Sequence, residues 1–128
     1  QRLRYNAHMR LIRRRLKHIA TANRDIIHHK LQFVDALIAV MKQRAMSAVA
    51  PRLEDALFHA RLRGDVKDEA CIAEYLGRYL LAQHCPTMAA SALVAARDAY
   101  QKWGLTAKVS EMEALYQVSP MFFSQDRR

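Results

Sequence analysis

Six histidines, two cysteines and twelve carboxylates are the residues of this chain that could hold a metal or move a proton, and their spacing is unfavourable for most such chemistry. His28 and His29 are neighbours, so on a helix their side chains point about 100° apart and do not readily share one ion. Cys71 and Cys85 stand singly and fit no zinc-ligand spacing. Ser91 and Ser110 fall inside helical patterns, and Cys85 has no activating partner beside it, so no nucleophile is armed. Glu54, Asp55, Asp65, Asp68, Glu69, Glu74, Asp98, Glu111 and Glu113 are interleaved with Arg and Lys and read as solvated helix faces rather than as an acid and base pair. The expectation is a chain that is not an enzyme and has no catalytic residue, no cofactor and no metal.

What remains is charge. The formal net charge is +9, and it is concentrated at one end: nine Lys and Arg face only Asp25 in the first 30 residues, a local net of +8. Arg10, Arg13, Arg14, Arg15 and Lys17 form a basic patch on a segment that also carries Leu3, Met9, Ile12, Leu16 and Ile19 at mostly three- and four-residue spacing. Such a helix suits an acidic protein surface, nucleic acid or an anionic membrane. It has no recognition-helix pattern and no aromatic RNA-binding motif, which favours contact with protein.

Elements follow from the same residues. Apolar content of 52% with only three glycines and three prolines indicates one all-helical domain, with no β alternative. The first helix is expected from Arg2 or Leu3 to about Ala20, with a break at Thr21, Ala22 and Asn23. A second follows from about Arg24 to Arg44 and a third from Pro51 to Arg63. Gly64 and Asp65 then end one helix and cap the next, which runs from Val66 to Gln83. Gly77 inside it calls for close helix contact, and Thr87 is expected to cap a fifth helix from Met88.

The stretch from Ala95 to Tyr116 holds the single tryptophan. Ala92, Ala95, Ala96, Ala99 and Trp103 make a small-residue stripe ending in a large ring, and Gly104 suits the left-handed position past a helix end. Thr106 or Ser110 can cap the sixth helix, whose stripe includes Val109. Tyr100, Trp103, Gly104 and Val109 are therefore expected to form a structural joint, with the indole wedged between the last two helices.

The phrase Ala96-Arg97-Asp98-Ala99-Tyr100-Gln101-Lys102-Trp103-Gly104-Leu105-Thr106-Ala107-Lys108-Val109, followed by Met112-Glu113-Ala114-Leu115-Tyr116, resembles the closing repeat of a tetratricopeptide-like helical array. That array follows the AAA-type ATPase module in very large multidomain signalling proteins, notably sensor histidine kinases with a protein-kinase-like N-terminal domain. Asn23, the run from His29-Lys30-Leu31 to Ala36, Gly64, Glu69-Ala70 and Glu74 are similar to its earlier helices. The chain departs from the pattern at Leu105, where alanine is usual, and carries no nucleotide loop or phosphoacceptor motif. The resemblance implies a parent protein with an ATPase module upstream.

The fold expected is all-α, with antiparallel helical hairpins stacked as a tetratricopeptide-like array of about six helices. Residues 1–22 would be a basic amphipathic helix, residues 23–116 the repeats, and residues 117–128 a tail with Pro120 and Met121-Phe122-Phe123. Beginning at Gln1 suggests a piece of a larger or processed chain. Unpaired cysteines and the lack of any apolar run of about 20 residues point to the cytoplasm or an organelle matrix. Function is expected to be an interaction or coupling module whose partner is a protein or another domain of the same polypeptide, with no small-molecule substrate. The alternative is a basic subunit or fragment of a large assembly whose first helix binds nucleic acid or an anionic membrane.

Overall fold

The computed structural model describes residues 2–116, without the side chains of residues 19–26. It forms two units, Gln1–Gly64 and Asp65–Arg128. All regular structure among the described residues is helical.

The first unit contains α1 (Arg2–Met41) and α2 (Met46–Arg63). Forty helical residues laid straight would reach about 60 Å. The contacts forbid that length. The Arg2 guanidinium donates to the Met41 carbonyl at 2.6 Å, Arg13 pairs with Asp35, and Met9 packs with Val34 and Ile38. Ile12, Leu16, Leu37 and Met41 close around that cluster. The chain must therefore double back between Leu16 and Ile27, so α1 consists of two helical arms facing each other. Counting both arms, the described residues hold six helical rods. The basic first arm belongs to this packed unit and does not stand apart from it.

Arm and helix are then joined through residues 42–45. Gln43 takes the left-handed conformation (φ 56°), and the Arg44 amide donates back five residues to the Ala39 carbonyl at 3.0 Å, closing a Schellman turn. Helix α2 starts at Met46, five residues earlier than proline spacing predicts, and Pro51 lies inside it. Burial outweighs the missing amide bond: Val49 and Leu53 are fully enclosed, with Ala50, Ala56, Leu57 and Ala60 on the same side. Gly64 ends α2 at φ 68°.

The second unit contains α3 (Val66–Ala82), α4 (Pro86–Trp103) and α5 (Thr106–Leu115). The Asp65 carboxylate caps α3 by accepting from the Asp68 amide at 3.1 Å, while Asp68 and Glu69 place negative charge in its first turn. Ile72, Ala73, Leu76 and Leu80 of α3 and Ala89, Leu93, Ala96 and Ala99 of α4 are buried. Gly77 is the point of closest approach: a Cβ there would lie 2.6 Å from Leu93 Cγ.

Three expected caps are replaced. Helix α4 begins at Pro86 with Cys85 before it, so Thr87 lies within the first turn; proline at that position loses no needed hydrogen bond. Helix α5 begins at Thr106 after Leu105, and no side chain caps it, so neither Thr106 nor Ser110 serves. Helices α3 and α4 end as α1 does, with His84 (φ 62°) and Gly104 (φ 89°) left-handed. The Cys85 amide reaches the Leu80 carbonyl at 2.9 Å, and the Leu105 amide reaches the Tyr100 carbonyl at 3.0 Å.

Candidate functional site

The N-terminal arm of α1 carries the sharpest surface feature. Its inner side is set by Met9, Ile12 and Leu16, which places Leu3, Ala7 and Leu11 together on the outward side at four-residue spacing. Leu3 is 84% exposed and Leu11 41% exposed. Arg10 and Lys17 border this apolar strip on one edge and Arg4 and Arg15 on the other, while Arg14 lies in line with it one turn beyond Leu11; all five are exposed. Arg13 is the exception within the expected basic patch. It turns inward to pair with Asp35 and serves the fold of its own unit.

The expected joint in the second unit has a different centre. Trp103 is only half-buried, its ring stacked on Tyr100 at 6.1 Å with the Lys67 ammonium 5.5 Å above it. Tyr100 is the buried ring, and Val109 is buried on α5. Gly104 supplies the turn between α4 and α5.

What ties the three helices is Glu74, which sequence spacing misreads as solvated. It is 9% exposed. Its carboxylate accepts from the Tyr100 hydroxyl at 2.7 Å, the Tyr116 hydroxyl at 3.0 Å and the Lys108 ammonium at 3.2 Å. Burial pushes the carboxyl upward, but the hydrogen bonds from Tyr100, Lys108 and Tyr116 together outweigh burial and hold it below its usual range. Burial and the bond to Glu74 raise Tyr100, while burial and the Glu74 charge push Tyr116 up to about 12. A second tie joins Arg97 of α4 to Glu113 of α5 at 3.1 Å. With every oxygen of Glu74 occupied by donors from its own unit, this network has the chemistry of a fastener: no group in it is poised as a base.

A third cluster lies in the first unit and joins α1 to α2. His28 Nε2 is 3.0 Å from Asp55 Oδ2, and His59 Nδ1 is 3.3 Å from Asp55 Oδ1 and 2.9 Å from the Asp55 carbonyl oxygen. The two imidazole centroids are 4.3 Å apart, with Phe58 against His59 at 5.3 Å. The sequence offered a partial signal: Asp55 and His59 are four apart on one helix and must share a face. What it could not supply is His28, which turns toward α2 while adjacent His29 is buried. Neither Cys71 nor Cys85 forms a disulfide, and desolvation pushes the Cys71 thiol up.

The fold and these clusters define a class: two units that are all-helical among the described residues, the first with a basic N-terminal arm, and among those residues no helix long and apolar enough to cross a membrane. Comparison with protein families, with curated proteins and with solved structures gives no match.

Proposed function

We propose that the chain is a non-catalytic helical interaction module that grips an acidic amphipathic segment of a partner protein, or of another domain of its own polypeptide, along the N-terminal arm of α1. In this reading the helical rods pair as antiparallel hairpins in a tetratricopeptide-like array, and the parent is a signalling protein with an ATPase module, as the resemblance around Trp103 implies. The observation that carries the reading is the exposed strip of Leu3, Ala7 and Leu11 bordered by Arg4, Arg10, Arg15 and Lys17, with Arg14 in line beyond it. Arginine forks match carboxylates in bidentate geometry, and the strip between them accepts a few apolar side chains of an amphipathic partner. Two leucines are a small apolar area for lipid insertion, and Tyr5, 49% exposed beside Arg4, offers a single ring where base stacking along a strand uses several.

The test measures the full chain against an acidic amphipathic peptide, single-stranded RNA and anionic vesicles across a salt series. The quadruple variant Arg10→Gln, Arg14→Gln, Arg15→Gln, Lys17→Gln spares Arg13, which holds Asp35. Salt-sensitive peptide binding that this variant loses supports the proposal. Steep salt dependence for RNA or vesicles with indifference to the peptide replaces it with the basic-subunit alternative.

A further inference from the structure

We infer that His28, Asp55 and His59 form a binding site for a divalent d-block cation of the Zn(II) class. Two imidazoles and one carboxylate are a donor set that zinc uses in sites keeping a fourth position for water. Each residue offers one ligand atom, and all three atoms lie within 4.8 Å of one another. Bonds of about 2.0–2.1 Å to a tetrahedral ion place ligand atoms roughly 3.3–3.4 Å apart. The carboxylate oxygens already stand 3.0 Å from His28 Nε2 and 3.3 Å from His59 Nδ1. Closing the set from within 4.8 Å to these spacings, and freeing His59 Nδ1 from the Asp55 carbonyl oxygen at 2.9 Å, is the adjustment that binding requires.

The positions are also held from both sides. Asp55 and His59 are one turn apart on α2, and His28 is presented by the second arm of α1, beside buried Ile27 and His29. The three side chains are 35%, 39% and 34% exposed, so an ion can enter from solvent and retain water. Nitrogen donors select against Mg²⁺ and Ca²⁺, which favour all-oxygen shells, and toward Zn²⁺, Ni²⁺ and Cu²⁺. The bound ion would clip α1 to α2 within the first unit, a role separate from the arginine-bordered strip and independent of the function proposed for it.

Calorimetric titration of the chelator-stripped full chain with Zn(II), with thermal melting followed by circular dichroism, tests the site. One ion per chain and a raised melting temperature are expected, and excess Mg²⁺ should not compete. His28→Gln and His59→Gln should each weaken Zn(II) binding by at least about tenfold while keeping the helical spectrum. The double variant Cys71→Ser, Cys85→Ser should bind as the parent does. Absence of saturable binding, binding that both histidine variants retain, or binding lost with the cysteines would overturn the assignment.

Discussion

Glu74 shows how much one side chain can hold. Replacing its charge while keeping its shape, as in Glu74→Gln, leaves Lys108 with only the exposed Glu111 carboxylate at 3.7 Å and obliges the amide to face two hydroxyls. The expected loss is about 1 to 3 kcal/mol of stability, read from denaturant unfolding of the second unit. Because the folded carboxyl is held below its usual range, Glu74 contributes stability above the unfolded pKa. That contribution disappears as pH falls through the folded value. Parent protein should therefore lose stability on acidification more steeply than Glu74→Gln, and equal slopes would contradict the network. Little of this was legible in the sequence. Glu74 is flanked by Ile72, Ala73, Tyr75 and Leu76, an apolar setting that was the one signal available, while the approach of Tyr100 and Tyr116 from later helices could not be read from spacing. Arg13 is the mirror case: its neighbours are solvent-facing arginines, yet it is drawn inward by Asp35, 22 residues away.

Elements were more legible than their ends. Three- and four-residue apolar spacing located the helical rods, whereas residues 21–23, expected as a break, are helical, and the reversal that the Arg2, Met9 and Arg13 contacts require is not marked by a loss of helix there. Gly64, Asp65 and Gly104 act at helix ends through conformational freedom or a capping oxygen, which are properties of the residues themselves. Gln43 and His84 were not foreseen, because a side chain with a Cβ favours φ near 60° far less than glycine does, even for histidine, and the surrounding turn imposes it. That imposition has a cost of about 1 kcal/mol or more per residue. His84→Gly is accordingly expected to raise stability by roughly 0.5 to 1 kcal/mol, visible as a higher melting temperature. An unchanged or lower value would show that the His84 side chain contributes more than its backbone costs. The early start of α2 has a similar lesson: proline marks a first turn only when no buried Val49 lies upstream to extend it.

At the scale of the molecule, each unit has its own apolar interior, around Met9, Val34 and Ile38 in one and Ile72, Leu80 and Met112 in the other. The sequence read as one domain because overall length and composition report total apolar content and not how contacts partition. Each half is about the smallest size that sustains a core without staples. A fragment of residues 65–128 is expected to remain helical and melt cooperatively, since its caps, Glu74 network and core are all internal to it. A non-cooperative transition would show that it depends on residues 1–64. The tail expected to carry Met121-Phe122-Phe123 lies outside the described residues. Trp103 adds a practical consequence: the protein's only indole, resting on Tyr100 under Lys67, makes fluorescence emission a private reporter of the second half. Zinc captured by the histidines of the other half should shift the ellipticity trace on heating while leaving that optical signal where it was.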